Sequence, residues 1–162
     1  MLKKFDKWGP NYVISFDLKM KKTLQRLLQP LLTMFNGVQE DGKEDYFHTW
    51  QKWFPRVTIS NIKGKGKMNV EGNFPGGPYK GWDIQDISME EVHRFRIENS
   101  FAKDKSTSLF TIRMDGNLVG SYEYPGKIVV SSTVTAYMTD FSSDVNCGSD
   151  VEVTNLIITT SD

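Results

Sequence analysis

An antiparallel β-sandwich, two sheets burying their apolar faces against each other, is the fold this sequence predicts, on three observations. Apolar and polar residues alternate with period two along most of the chain, tight-turn residues separate the alternating runs, and no reliable helical pattern runs uninterrupted. The clearest run is Leu109 to Tyr124, LFTIRMDGNLVGSYEY. Phe110, Ile112 and Met114 alternate with Thr111, Arg113 and Asp115. Beyond Asp115-Gly116-Asn117 the alternation resumes, with Leu118, Tyr122 and Tyr124 on one side and Val119, Ser121 and Glu123 on the other. Asp-Gly between two such runs signals a hairpin, because a primed turn needs positive φ at its central residues and glycine adopts it without steric cost.

The remaining elements follow in chain order. Lys3 to Pro10 reads as an entry segment. Tyr12 to Met20 is a strand with Tyr12, Ile14, Phe16, Leu18 and Met20 on one face and Val13, Ser15, Asp17 and Lys19 on the other. In KKTLQRLLQPLLTMF the leucines also fit a helical stripe, but Pro30 would cost a continuous helix about 3 kcal/mol. A turn or short helix to Leu28 and a strand from Leu31 to Phe35 are expected instead. Gly37 to Asp45 is an acidic loop, and Tyr46 to Phe54 concentrates aromatics. Val57 and Ile59 alternate with Thr58 and Ser60 before the basic turn of Lys63, Lys65 and Lys67 and a return through Met68 and Val70, a second hairpin. Asn73 to Gly81 is rich in Gly and Pro and delivers Trp82. Val92 to Asn99 alternates His93, Phe95 and Ile97 with Arg94, Arg96 and Glu98. Ile128 to Met138 is a further strand, Thr139 to Asp150 a polar loop, and Val151 to Thr159 a closing strand whose apolar phase shifts near Thr154 or Asn155, the mark of a bulge.

Composition sets the outer bounds. The 162 residues suit a single domain spanning 1–162 with one hydrophobic core. Twenty Lys and Arg balance twenty Asp and Glu, so no whole-chain charge points to nucleic acid. No apolar run approaches the roughly 20 residues that span a bilayer, and none in MLKKFDKWGPNYVIS resembles the apolar core of a secretory signal. Neither nucleic-acid binding nor membrane insertion is expected. Cys147 is the single cysteine, which excludes an internal disulfide and a thiolate zinc site.

The order of VISFDLKM, WFPRVTIS, VHRFRIEN, FTIRMDGNLVGSYEY and VEVTNLIITTSD resembles concanavalin A-like jelly rolls of the laminin-G, pentraxin and galectin kind. The resemblance covers most of the chain. It implies a jelly-roll sandwich in which the early strand Tyr12 to Met20 lies beside the last, a carbohydrate ligand, and a secreted or cell-surface location. The galectin sugar motif departs here: Trp53-Phe54-Pro55-Arg56 keeps Pro-Arg of His-x-Asn-Pro-Arg but not its His and Asn, and Trp82 is followed by Asp83-Ile84-Gln85-Asp86 in place of x-x-Glu-x-Arg.

A sugar site needs an apolar face for pyranose C–H groups and a few oriented polar groups. Trp82 with Tyr79 and Asp83 forms one candidate, and Trp50, Trp53 and Arg56 a second, each against the alternative that these aromatics pack in the interior. Asp140, Asp144, Asn146 and Asp150 are the candidate ligands for calcium, the one cofactor considered, although they lack an EF-hand spacing. Glu40, Asp41, Glu44 and Asp45 are a second acidic loop. No paired glycosidase carboxylates and no nucleophile motif are present, Asp83 and Asp86 being the nearest approach, and His48 and His93 fall in separate segments. The expected function is therefore a carbohydrate-binding, lectin-like recognition domain without catalysis. The alternative is a structural or adhesion sandwich making protein–protein or homo-oligomeric contacts.

Overall fold

The computed structural model describes residues 3–24, 29–36, 53–75, 79–127, 134–138 and 150–162. Among these are eleven strands: β1 (Lys3–Phe5), β2 (Asn11–Met20), β3 (Gln29–Asn36), β4 (Trp53–Ile62), β5 (Lys65–Gly72), β6 (Lys80–Ile87), β7 (Val92–Ala102), β8 (Thr107–Met114), β9 (Asn117–Pro125), β10 (Val134–Met138) and β11 (Val151–Ser161). They build a six-stranded sheet in the order β1-β10-β3-β4-β5-β6 and a five-stranded sheet in the order β11-β2-β7-β8-β9. The pairings are antiparallel, and the architecture is the jelly-roll sandwich expected from the alternation and the resemblance.

The alternating residues meet in one core. Ile14, Phe16 and Leu18 of β2, Phe95 and Ile97 of β7, and Phe110 and Ile112 of β8 are buried with Val57 and Ile59 of β4, Met68 and Val70 of β5, and Val134 and Ala136 of β10. Burying each such side chain is worth about 1.5–3 kcal/mol, which fixes which face of every strand points inward. The β8–β9 turn is the expected primed turn, with φ of 51° at Asp115 and 83° at Gly116. As the resemblance implied, β11 lies beside β2.

Several details differ from the sequence reading. The supposed entry segment contains β1, which pairs with β10. Trp82 is not carried by a loop: it lies in β6, opposite Val70. Leu118 does not share a face with Tyr122 and Tyr124, because a register shift between Ile112 and Arg113 leaves Val119 unmatched and puts Leu118 opposite Arg113, half exposed. Pro30 is accommodated inside β3 at a register irregularity of the β3–β4 pairing, which shifts between Pro30 and Leu32. The sequence expectations for residues 25–28, 37–52, 128–133 and 139–149 lie outside the described residues.

The bulge near Asn155 has a structural use. Asn155 takes a φ of 52°, and its side-chain amide donates to Asp17 Oδ2 at 2.7 Å. Arg94 grips the same carboxylate from β7, donating at 2.8 Å and 3.1 Å. The hydrogen bonds from Arg94 and then Asn155 hold the Asp17 carboxyl down at about 2, against an ordinary 3.8. A depressed carboxyl stabilises the fold above its unfolded value and loses that contribution as pH falls toward the folded one. Asp17→Asn is expected to lower the melting temperature at neutral pH and to flatten the fall in stability between about pH 4 and pH 2. Thermal denaturation across that range measures it. A second outcome concerns packing: a Cβ on Gly120 would stand 2.7 Å from Trp82 Cδ1 and 3.0 Å from Cγ. Gly120→Ala should therefore cost about 1–3 kcal/mol in urea unfolding, as overpacking does.

Candidate functional site

The outer face of the six-stranded sheet collects polar residues where β4, β5 and β6 run side by side. Arg56 stands opposite Glu71, Thr58 opposite Asn69, and Ser60 opposite Lys67. Asn69 in turn stands opposite Asp83. These residues point away from the core because they alternate with Val57, Ile59, Met68 and Val70, which are pulled inward.

Two polar chains cross this face. Arg56 pairs with Glu71 at 3.4 Å, and the Tyr79 hydroxyl, arriving from the segment before β6, donates a short hydrogen bond to the other Glu71 oxygen. Tyr79 is 46% exposed, whereas the Arg56 and Glu71 side chains are largely covered. Beside them, Asn69 donates to Asp83 at 2.9 Å and Lys67 pairs with the same carboxylate at 2.9 Å. The Asn69 hydrogen bond and then Lys67 hold the Asp83 carboxyl below its usual range, so it stays ionised throughout the neutral and mildly acidic region.

Between these pairs and β3 the floor is made of buried hydroxyls. Thr58 is 4% exposed and Ser60 and Thr33 each 1% exposed, yet none of their hydroxyls has a hydrogen-bond partner among the described residues. Leaving a buried polar group unsatisfied costs about 1–3 kcal/mol, and these hydroxyls, being covered, bear on the stability of the sheet and not on contact with a ligand. Thr33 lies opposite Arg56, so the unpartnered hydroxyls and the ionic pairs belong to one patch.

The sequence-predicted residues divide on this map. Arg56, Tyr79 and Asp83 come together on the outer face. Trp82, their presumed stacking platform, turns inward: it alternates with Asp83, packs against Phe110 at 5.2 Å and Phe74 at 6.1 Å, and seals the sandwich against Gly120. Trp53 is in β4 with its backbone opposite Phe35, and Trp50 lies outside the described residues. Asp140, Asp144 and Asn146 also lie outside them, as do Glu40, Asp41, Glu44, Asp45, His48 and Cys147. Asp150 is described, and its carboxylate accepts from the Thr23 hydroxyl at 2.6 Å. No group of three or more metal-ligating residues occurs among the described residues. His93 lies near the start of β7, an interior strand, its ring spanning Asp115 at 2.8 Å and the Ser88 carbonyl at 3.2 Å. Asp86 sits at a register irregularity in β6 with a φ of 57°.

Glu71, Asn69, Thr33, Thr58 and Ser60 were missed in the sequence. For Thr58 and Ser60 the signal was present, since both share the alternation phase of Arg56; for Glu71 and Thr33 it needed the strand register. Thr58→Val removes the orphaned hydroxyl while keeping the shape. It should raise stability by about 1 kcal/mol in urea unfolding.

No protein-family model matches the chain, and no curated protein does. Solved structures do. An alginate lyase from Pseudomonas aeruginosa superposes with a TM-score of 0.61 at 9% identity, over 96% of this chain and 68% of that one. A marine alginate lyase from Zobellia galactanivorans gives 0.52 at 12% identity over 99% and 66%, and an alginate lyase from a Chlorella virus 0.52 at 12% over 94% and 72%. This chain thus spans about two thirds of the length of these enzymes. The expectation of a recognition or adhesion domain without catalysis is corrected by these neighbours. It rested on the missing carboxylate pair of glycosidases, and a lyase breaks its substrate by elimination, which needs no such pair. At these identities the likeness defines architecture: the chain has the concanavalin A-like jelly-roll fold.

Proposed function

We propose that this domain is a polysaccharide lyase acting on an acidic, uronate-containing glycan, with its site on the outer face of β4, β5 and β6. The observation that carries the reading is the Arg56–Glu71–Tyr79 chain, in which an exposed phenol donates to a carboxylate that also pairs with a guanidinium. The lyase folds matched along the chain support the same reaction class.

β-Elimination at a uronate requires three things: the carboxylate must be neutralised so that the adjacent C–H becomes acidic, a base must take that proton, and the departing glycosidic oxygen must receive one. Arg56 supplies planar, charge-assisted donors for the carboxylate. Tyr79 is the proton carrier. Glu71 takes the phenol proton as the phenol oxygen takes the sugar proton, the C–O bond breaks as a C=C bond forms, the phenol passes the sugar proton to the leaving oxygen, and Glu71 returns its proton to the phenolate. Asp83, held by Asn69 and Lys67, orients the neighbouring sugar through its hydroxyl groups. An extracellular setting, where such polymers are met, is part of the proposal.

Incubation with alginate and other polyuronates, followed by the ultraviolet absorbance of the conjugated double bond that elimination leaves, tests the reading. Arg56→Ala should lower kcat/KM by about 10²–10³-fold and Tyr79→Phe by about 10²–10⁴-fold, both remaining folded by circular dichroism. New reducing ends without the chromophore, or full activity in both variants, would sink it.

A further inference from the structure

The central patch is electrically balanced, Arg56 against Glu71 and Lys67 against Asp83. Unbalanced charge gathers instead at the end of the same sheet. The β4–β5 hairpin closes through Lys63 and Gly64 with φ of 54° and 82°, and the Gly64 N–H donates to Asn61 Oδ1 at 2.8 Å, so the tip is a defined turn. Asn61 Nδ2 reaches the Lys22 carbonyl at 3.4 Å, bringing Lys22 from the segment after β2 against the tip.

Lys22, Lys63 and Lys65 are exposed, and none has an ion-pair partner among the described residues. Of the nearby acids, Glu152 pairs with Lys21 at 3.5 Å, while the Glu90 carboxylate accepts from the Lys22 backbone N–H at 2.8 Å and so offsets part of the positive charge on the Lys22 side of the tip. Lys65 stands opposite Ile62 and Lys67 opposite Ser60, so both lysines share the outer face of β5 with Asn69 and Glu71, about 6.8 Å apart along the strand. Ile62, 47% exposed beside Lys65, adds an apolar surface of the kind that sugar C–H groups cover.

We propose that the β4–β5 tip together with Lys22 is an anion-binding subsite, which holds the carboxylated polysaccharide chain where it runs off the outer face. The inference rests on the proposed lyase reading for its ligand. It adds that affinity grows with chain length through Lys22, Lys63 and Lys65, while Arg56 and Tyr79 act on the sugar at the centre. A polymer of regularly spaced carboxylates engages several such cations at once and releases their counterions, so its binding weakens steeply with salt.

The test uses the full chain, alginate oligosaccharides of graded length, and calorimetric titration at several salt concentrations. It compares wild type with the triple variant Lys22→Ala, Lys63→Ala, Lys65→Ala and with Arg56→Ala. These exposed lysines can be removed with little effect on folding, since surface substitutions change stability by about 0.5 kcal/mol or less. The triple variant should bind long chains about tenfold more weakly at low salt, bind trisaccharides as wild type does, and show a shallower dependence of log affinity on log salt by about two. Unchanged long-chain affinity and salt slope in the triple variant, with binding lost in Arg56→Ala, would overturn the subsite and leave the central reading standing. The converse, lysine-dependent binding indifferent to Arg56→Ala, would support the subsite and remove the central reading. Tighter, equally lysine-dependent binding of single-stranded DNA of matched length would overturn the assignment to a carboxylated glycan.

Discussion

The structure depends on the alternation of inward apolar and outward polar side chains across two sheets that share one core. Phe16 and Phe95 stack at 5.6 Å on neighbouring strands, and Phe110 meets Phe74 at 5.1 Å across the space between the sheets. Once Val57, Ile59, Met68 and Val70 are committed to that interior, Arg56, Thr58, Ser60, Asn69 and Glu71 have no choice but the opposite face. The candidate site is therefore a by-product of core packing in position and a specific design only in residue type.

Polar groups are treated differently on the two sides of the molecule. On the five-stranded sheet two polar clusters are tied together by side-chain hydrogen bonds. Asp17 is held by Arg94 and Asn155, and Asn99 donates to the Pro10 carbonyl at 2.7 Å while accepting from Tyr124 at 2.8 Å. Burial pushes the Tyr124 hydroxyl up from its usual range, so it remains a donor to Asn99 under all ordinary conditions. On the six-stranded sheet the Thr33, Thr58 and Ser60 hydroxyls are buried without hydrogen-bond partners among the described residues.

Trp82 illustrates how a strong local signal misleads. Gly and Pro on its N-terminal side suggested a loop, and an aromatic beside Tyr79 and Asp83 suggested a sugar platform. Its partner Val70 is an inward residue, so Trp82 is inward as well, closing the sandwich over Gly120. The same parity sends Asp83 outward to Asn69 and Lys67. One residue of strand register separates a core aromatic from an outward-facing carboxylate.

The amino-acid sequence by itself determined the fold class, the Asp115-Gly116 hairpin, the inward faces of β2, β7 and β8, and the bulge near Asn155, because each follows from local periodicity or from the backbone freedom of one or two residues. It also pointed to Arg56, Tyr79 and Asp83. Only the tertiary structure decided that these three share a face with Glu71, Asn69 and the buried hydroxyls, that Trp82 does not, and that Lys22 joins the β4–β5 tip. Such neighbours are set by register between strands, and register is fixed by the whole core at once, so no single stretch of chain contains it.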